Sequence, residues 1–337
     1  MATKTVQTIE DIAKLANVSK STVSRALNNS TLINQETRER IQEIARTQNF
    51  KLNAPARNLS LRQSHTLGFV SYACCGKNFT AEDLFGLELL GGISDGLRNL
   101  GYDLLVIPVD PHEDSWEQHY LDSGRVDGFI LIMSTHKQKH VNNLVRHGTP
   151  FIVWGVPGPG SNYCSVSGDD FTGGKLAANR LVEIGRKRIA FLGGIPGELE
   201  VLQRYAGYEA ALTEAGLGID PDLVTYGNYS HVSGKEEMLR LLNQAPDVDA
   251  VFVNSDLMAL GAIDALQSKG KRVPEDVAVI GYDDLLLAKY NNLPITTIRQ
   301  NVPLAGRLLA QNLIQFIQTG VVTNVKLPVE LVVRKSA

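Results

Sequence analysis

The fold of the N-terminal region is decided by one stretch, TIEDIAKLANVSKSTVSRAL at residues 8–27. Its first half repeats apolar residues at helical spacing, and Thr8 can cap this short helix with its hydroxyl group. Asn17 tolerates the left-handed conformation in which helices end, and Ser19 can cap a second helix directly after the turn. A third helix, with Asn34 as its cap, is predicted over residues 35–47. Together these patterns predict a compact head of three short helices.

The second helix combines an apolar face with an unusual polar face. Val23, Ala26 and Leu27 share the inward side at helical spacing. The outward side carries short hydroxyls and two cations, namely Lys20, Ser21, Thr22, Ser24 and Arg25. Short hydroxyls allow close approach to a phosphate, and cations in the major groove can reach guanine edges. The pattern indicates a DNA-reading helix, and the solvated face of a small bundle is the alternative.

Charge is unevenly distributed along the 337 residues, although the net charge is only −3. Residues 1–62 hold ten Lys/Arg against five Asp/Glu, whereas the remainder holds 23 against 31. A basic module ahead of an acidic body is typical of a small DNA-binding domain fused to a small-molecule domain. The length is consistent with two or three domains.

Several classes of protein are disfavoured by the sequence. It has no apolar run of the roughly 18 residues that a membrane helix needs, and its N-terminus lacks the apolar core of a signal peptide. The three cysteines predict neither a disulfide framework nor a zinc site. No dinucleotide fingerprint, phosphate loop or nucleophile elbow is present. We therefore expect a cytoplasmic protein without a membrane partner, catalytic residue, metal or cofactor.

From residue 66 onward, short apolar segments alternate with helical patterns. The strands are predicted at residues 67–72, 104–108, 128–132, 151–155, 188–193, 250–253 and 278–281, and one helix is predicted over 87–100. This rhythm is typical of parallel sheets covered on both faces, here in two Rossmann-like subdomains. Ligands of such sheets bind beyond the carboxyl ends of the strands, so the expected site is a cleft between the subdomains.

The whole chain resembles the LacI/GalR family of transcriptional regulators. The stretches that carry the resemblance are residues 8–13, 16–19, 22–28 and 37–41 in the head, and 169–174, 185–190, 204–208, 256–261, 281–284 and 296–300 in the body. The resemblance implies an all-α helix-turn-helix head and an α/β body with two subdomains of the periplasmic-binding-protein type. It places the head at residues 1–52, a hinge at 53–63 and the effector-binding and dimerisation domain at 64–337.

The resemblance also implies roles for individual residues of the head. Lys20 and Ser21 correspond to the pair that sets base specificity, and Arg25 corresponds to the base-reading arginine. The implied contacts to the DNA backbone are Ser19, Thr22, Ser24, Asn28 and Thr37, and Ile9 is the apolar residue of the first helix that lies against DNA.

The hinge is expected to add a second DNA contact. Leu59 corresponds to a leucine that family members insert between base pairs in the minor groove, which kinks the duplex, and Ala56 belongs to the same contact. This segment departs from the family, because Leu52 replaces the usual proline and Pro55 lies further on. A plain linker is the alternative.

The resemblance implies effector contacts at the carboxyl ends of the body strands. Arg204 can donate to two hydroxyls or a carboxylate, and Asp283 can accept from sugar hydroxyls. Ser255 stands where many relatives have Asn. The alternatives are an Arg204–Asp283 salt bridge and a helix cap at Ser255, with Asp256 expected to cap the same helix. The remaining residues assigned to this site are Tyr72, Phe85, Trp154 and Gln300. The rings of Phe85 and Trp154 are expected to stack on the ligand, and core packing is the alternative for each.

These observations favour a homodimeric repressor of carbohydrate genes. We expect it to bind double-stranded palindromic operator DNA and to be released by a small sugar or glycoside. Three alternatives stay open: a purine or nucleoside acting as corepressor, a solute-binding protein for sugar transport, and a sugar- or nucleotide-processing enzyme. The missing signal peptide and the basic head disfavour the transport protein, and the lack of catalytic motifs disfavours the enzyme.

Overall fold

The computed structural model describes residues 8–50, 63–72, 83–109, 116–132, 138–158 and 160–337. They belong to two compact units, one within Met1–Ser64 and the other within His65–Ala337. The predicted hinge contacts Ala56 and Leu59 lie outside the described residues.

The first unit, the head, consists of three helices: α1 (Ile9–Ala16), α2 (Lys20–Leu27) and α3 (Gln35–Thr47). The predicted caps are confirmed, since the side chains of Thr8, Ser19 and Asn34 each accept a hydrogen bond from the backbone three residues on. Asn17 ends α1 in the left-handed conformation, at φ 53°. The apolar faces meet in a core formed by Ile12, Ala13, Ala16, Val23, Ala26, Ile41 and Ala45.

The second unit, the body, contains two six-stranded sheets, and the first of them has the order β11-β5-β4-β3-β1-β2. Its strands are β1 (Thr66–Tyr72), β2 (Asp103–Val109), β3 (Gly128–Ile132), β4 (Phe151–Trp154), β5 (Cys164–Gly168) and β11 (Asn324–Leu327). All neighbouring pairs are parallel. The accompanying helices are α4 (Leu84–Leu97), α5 (Trp116–Asp122), α6 (Gln138–Arg146) and α12 (Val302–Thr319), of which α12 packs against α4.

The second sheet has the order β12-β10-β9-β8-β6-β7. Its strands are β6 (Ile189–Gly193), β7 (Val224–Tyr226), β8 (Ala250–Val253), β9 (Ala278–Asp283), β10 (Thr296–Arg299) and β12 (Glu330–Val332). Only the pairing of β12 with β10 is antiparallel within this described sheet. Its helices are α7 (Asp170–Glu183), α8 (Leu199–Glu214), α9 (His231–Gln244), α10 (Asp256–Ser268) and α11 (Leu286–Tyr290), with a 3-10 turn at Pro221–Leu223.

The chain passes between the two sheets three times, after β5, after β10 and after β11. The predicted pair of Rossmann-like subdomains is confirmed. The helix predicted over residues 87–100 begins earlier, at Leu84, because the Asp83 side chain accepts from the Gly86 amide and caps it there. None of the helices described is long and apolar enough to cross a membrane.

Candidate functional site

The outward face of α2 holds its hydroxyl groups in one chain of hydrogen bonds. Ser19 Oγ lies 2.7 Å from Ser21 Oγ and 2.8 Å from Thr22 Oγ1, and it accepts from the Thr22 amide. Ser21 is exposed, while Thr22 and Ser24 are half-buried. Small hydroxyls grouped at a helix N-terminus match the requirements of a phosphate contact, because both the backbone amides and the helix dipole favour an anion there.

The two cations of α2 are exposed and differ in their surroundings. Lys20 Nζ lies 2.9 Å from Glu10 Oε1 of α1, and this hydrogen bond lowers the pKa of Glu10. An exposed ion pair of this kind exchanges readily with solvent or with another partner. Arg25 projects from the last turn of the helix. The face therefore presents one cation at each end of a row of hydroxyls.

Three further head residues were predicted to contact DNA. Asn28 ends α2, and Thr37 lies in the first turn of α3, where its amide donates to Asn34 Oδ1 at 2.8 Å. Ile9 begins α1 and is half-buried against the core of the head. The roles of all these residues in DNA binding stay predictions.

At the carboxyl end of the second sheet, Arg204 of α8 is only 6% exposed. Its Nε donates to Asp170 Oδ1 at 2.7 Å, and its Nη1 donates to the main-chain oxygen of Asn254 at 2.9 Å. The guanidinium lies over the Tyr282 ring, 3.8 Å from its centroid, and the Tyr282 hydroxyl donates to the same Asp170 oxygen. These contacts fix the guanidinium plane.

Helices α7 and α8 approach closely enough to pair Arg204 with Asp170 because glycines lie at their contact. A Cβ on Gly174 would stand 2.0 Å from the Arg204 main-chain oxygen, and one on Gly207 would stand 2.0 Å from the Phe171 oxygen. The alternative of an Arg204–Asp283 salt bridge is therefore wrong. Asp170, on the neighbouring helix, takes the place of Asp283 as the ion-pair partner.

Asp283 ends β9 with a strained backbone and a buried carboxyl group. Its backbone φ is 111°, a value that residues other than glycine rarely adopt, and the residue is 7% exposed. Gln300 Nε2 donates to Asp283 Oδ1 at 2.9 Å. Burial raises the pKa of Asp283 to about 7, against the opposing effect of Arg204. Gln300 Oε1 is buried without a hydrogen-bond partner in the described part of the chain.

Of the two residues that the sequence offered as caps of α10, Ser255 is the cap and Asp256 is not. Ser255 is the N-cap of α10, and its Oγ accepts from the Met258 amide at 3.2 Å. The expectation that Asp256 caps this helix is wrong. Asp256 accepts instead from Thr297 Oγ1 at 2.6 Å and from the Leu285 amide at 2.8 Å, so it connects α10 to β10 and to the segment after β9.

The aromatic residues occupy different positions in the first subdomain. The rings of Phe85 and Trp154 lie 5.8 Å apart at 43°, and Trp154 belongs to the apolar core at the end of β4. Tyr72 ends β1, but its side chain lies outside the described residues. Trp154 therefore packs as core, and Phe85 at its edge is the better placed of the two for stacking on a ligand.

Besides Asp170 and Tyr282, sequence reasoning missed further polar residues near Arg204, namely Asn254, Glu198, Glu200 and Tyr229. Asn254 is fully buried, and neither atom of its side-chain amide has a partner among the described residues. Glu198 accepts from the Tyr229 hydroxyl at 2.9 Å, and burial together with Glu198 raises the pKa of Glu200 to about 8. Asn254 directly follows β8 at its carboxyl end, and this position in the sequence was the available signal.

The first subdomain approaches these carboxylates through α4. Burial raises the pKa of Glu88, with a contribution from Asp284, and the charge of Glu88 acts on Asp283 in turn. Asp284 itself pairs with Arg299 and Arg334. A helix of one subdomain thus faces the strand ends of the other.

Comparison with known families identifies both units. Residues 8–53 match the model of bacterial regulatory proteins of the lacI family, and residues 178–337 match the periplasmic binding protein-like domain.

Known proteins resemble the chain over nearly its full length. The HTH-type transcriptional regulator CelR of Thermobifida fusca is 36% identical over 335 residues, or 98% of each chain. The HTH-type transcriptional repressor PurR of Haemophilus influenzae is 33% identical, again over 98% of each.

Two solved structures have the same fold. A CelR–cellobiose complex superposes with a TM-score of 0.75 at 32% identity, covering 98% of this chain and 99% of that one. The lac repressor dimer bound to operator and the anti-inducer ONPF superposes with a TM-score of 0.80 at 28% identity, covering 98% of both chains.

Proposed function

The chain belongs to the LacI family of bacterial regulatory proteins, and on that premise we propose that it represses carbohydrate-utilisation genes and releases their operator when a small sugar or glycoside binds. Members of this family are DNA-binding transcriptional regulators that respond to small-molecule effectors. What we propose for this chain is that its effector is a sugar and that the genes it regulates serve carbohydrate utilisation.

The observation that carries the sugar assignment is the preorganised Arg204. Two of its donors are fixed by Asp170 and Asn254, and the stacking on Tyr282 holds the guanidinium plane. The remaining N–H groups are available to ring hydroxyls, and Asp283 with Gln300 supplies acceptors beside them. Phe85 adds an apolar ring on the opposite subdomain, and Trp154 and Tyr72 end strands β4 and β1 of the same sheet.

For the head, we propose that α2 enters the major groove. Lys20, Ser21 and Arg25 then read bases, while the hydroxyls of Ser19, Thr22 and Ser24 contact phosphates. Asn28 and Thr37 complete the backbone contacts, and Ile9 of α1 lies against the DNA. Leu59 and Ala56 of the hinge segment add a minor-groove contact.

A homodimer on a palindromic operator completes the proposal. The lac repressor relative is a dimer on its operator. Here large apolar side chains on α9 and α11, both next to α10, are exposed: Val232 at 61%, Leu286 at 69% and Tyr290 at 73%. Apolar groups at one such surface favour association of two copies, and two-fold symmetry of the protein then matches two half-sites. Such a regulator acts on the chromosome, in the cytoplasm.

The effector works through its differential affinity for two states of the body. A sugar that contacts Glu88 and Phe85 of α4 as well as Asp283 of β9 favours the state in which the subdomains lie closest. We propose that this state is incompatible with operator binding.

Gel shifts with the DNA upstream of the chain's own operon test this function. We expect a shifted band at low salt that is lost on adding one of a panel of mono- and disaccharides. Arg25→Ala should flatten the preference for operator over unrelated DNA by at least tenfold, whereas Arg46→Ala, an exposed arginine at the far end of α3, should not.

Two results would count against the proposal. If no fragment shifts at low salt, the chain is not a regulator of this operon. If a purine base strengthens the shift and no sugar weakens it, the body senses a corepressor of the kind that the PurR name suggests.

A further inference from the structure

An ion pair joins α1 to α2 on the surface of the head. Lys20 Nζ, from the first residue of α2, lies 2.9 Å from Glu10 Oε1, which belongs to the first turn of α1. Both side chains are more than half exposed, at 61% for Lys20 and 54% for Glu10. Glu10 therefore places a carboxylate beside the polar face of α2, next to the cation that is proposed to read bases.

A carboxylate at this position calls for a reason, because DNA phosphates repel it. The hydrogen bond and charge of Lys20 lower the pKa of Glu10, Lys14 adds to this, and burial and Asp11 oppose it, so Glu10 is ionised at neutral pH. Asp11 has a structural role, since it forms a capping box with Thr8. An exposed ion pair such as Lys20–Glu10 adds little to stability, so the fold of the head supplies no comparable role for Glu10.

The edge of a single base pair in the major groove is complementary to this ion pair. In a G·C pair, guanine O6 accepts hydrogen bonds and cytosine N4 donates them, side by side. The two atoms are joined by a Watson–Crick hydrogen bond of the N–H···O type, which is about 2.9 Å long. The 2.9 Å between Lys20 Nζ and Glu10 Oε1 therefore matches the spacing of one acceptor and one donor on the same base pair.

The order of the two charges selects among the four base pairs, written here with the base that faces Lys20 first. G·C offers guanine N7 and O6 to the ammonium group and cytosine N4 to the carboxylate. T·A offers thymine O4 and adenine N6 in the same order, but the thymine methyl group replaces the N7 acceptor. C·G and A·T place a donor against Lys20 and an acceptor against Glu10, so both charges are repelled.

We propose that Lys20 and Glu10 act together to read one G·C base pair in each operator half-site, with guanine facing Lys20 and cytosine facing Glu10. This inference rests on the proposed function, because it requires α2 in the major groove, and it makes Glu10 a specificity-determining residue. Glu10 engages one N–H of the Lys20 ammonium group and leaves two for guanine O6 and N7. It also holds Lys20 away from phosphates, whose contacts add affinity for any sequence.

Selection of binding sites by the full-length protein from a pool of duplexes of random sequence tests the inference. The wild-type protein should select a G·C pair at one position of each half-site, by about tenfold or more over the other pairs. Lys20→Ala and Glu10→Ala should both relax the preference at that same position and leave the remaining positions unchanged. Glu10→Ala should also bind unrelated DNA more tightly, because Lys20 is then free to contact phosphates.

Glu43→Ala is the matched control. Glu43 is an exposed glutamate of α3 whose Oε2 lies 2.9 Å from Arg46 Nη1, so this variant also removes one negative charge from an ion pair of the head. It reproduces any gain in affinity that comes from net charge alone, and it should leave the base preference unchanged at every position. Circular dichroism checks the fold of Glu10→Ala, in which alanine favours the helix and the Thr8 cap is retained.

The exchange of both residues, Glu10→Lys with Lys20→Glu, gives a second and independent test. It keeps the net charge and reverses the order of donor and acceptor, so the selected pair should change from G·C to C·G at the same position, with the other positions of the half-site fixing the orientation.

The outcomes separate this inference from the proposed function. If Glu10→Ala keeps the preference at the position that Lys20→Ala relaxes, or if an A·T pair is selected there, the paired reading is wrong while the DNA-binding regulator stands. Selection of the original G·C pair by the exchanged protein would also reject it. If the wild-type protein selects no sequence and shifts no fragment, the regulator function fails and the inference fails with it.

Discussion

The head and the Arg204 site both depend on polar side chains, but they hold them in opposite ways. In the head, the hydrogen bonds of Thr8, Ser19 and Asn34 join residues three apart, on an exposed surface. In the body, Arg204 and Tyr282 converge on one Asp170 oxygen from 34 and 112 residues away, inside the protein.

The difference follows from what each region recognises. DNA brings its own phosphates and base edges, so the side chains that meet it stay solvated until contact is made. A small effector must be surrounded, so its site has to hold charges and amides in place without the help of water. The polar groups of the head are thus individually weak, and those of the body are mutually dependent.

The largest effect is expected on removing the buried cation. Arg204→Met leaves Asp170 without its ion-pair partner, and the body should lose about 3–5 kcal/mol of unfolding free energy. Both tryptophans, Trp116 and Trp154, lie in the body, so urea denaturation followed by tryptophan fluorescence reports on this unit alone.

Arg188→Met is the matched control, because Arg188 donates to Asp220 at 2.8 Å but its side chain is 40% exposed. Solvent screening should limit its cost to about 1 kcal/mol or less. Equal losses in the two variants would mean that burial does not determine the cost of losing an ion pair in this protein.

A second prediction uses pH, to which the buried site should respond. Asp283 has a pKa of about 7 in the folded protein and the ordinary value of 3.8 when unfolded. The folded state therefore binds the extra proton, so unfolding free energy should fall as pH rises from about 4 to 7 and then level off. At ~1.36 kcal/mol per pKa unit, this contribution reaches up to about 4 kcal/mol.

Asp283→Asn isolates that contribution, since asparagine tolerates a positive φ and cannot titrate. The wild-type protein should lose more stability than the variant between pH 5 and pH 7.5 in urea denaturation. Glu200 titrates in the same direction in both proteins, so the difference between them reports on Asp283. If the stability of the two proteins changes with pH in parallel, Asp283 is ionised throughout this range and the prediction of a raised pKa is wrong.

The same contrast between local and long-range contacts explains which parts of the structure could be predicted from the sequence. The bounds of α3, Gln35–Thr47, coincide with the predicted helix, and the caps of all three head helices were predicted, because those signals lie within four residues of each other. Strands β6, β8 and β9 were also found from their apolar runs. Five strands were missed: β5, β7, β10, β11 and β12. Of these, β7, β11 and β12 are three or four residues long and lie at a sheet edge.

In the site, the sequence indicated single residues but not their partners. Arg204 and Asp283 were selected by their positions after strands, yet the Asp170 partner depends on the close approach of α7 and α8 through Gly174 and Gly207. Asn254 was signalled only by its position after β8, and Glu198 gave no local signal, because the significance of both arises from what is buried around them. Contacts between distant residues are set by packing, which a local pattern does not contain.

The smallest effect is expected where the two regions use the same device, a capping side chain. Thr8 caps α1 at the surface and Ser255 caps α10 in the interior, each accepting from an amide three residues on. Thr8→Ala and Ser255→Ala should each cost about 1 kcal/mol, with the buried cap at the upper end of the 0.5–2 kcal/mol range for caps. Tryptophan fluorescence follows the body, and a change in circular dichroism that fluorescence does not share follows the head.

Effector titration then decides whether Ser255 does more than cap. Its Oγ is engaged by the Met258 amide, so Ser255→Ala should change the effector Kd by less than about threefold, which is under 0.7 kcal/mol. A tenfold weaker Kd with unchanged stability would instead make Ser255 an effector contact. The site would then resemble the head in using a helix-capping hydroxyl to bind its ligand, and burial alone would no longer separate the two regions.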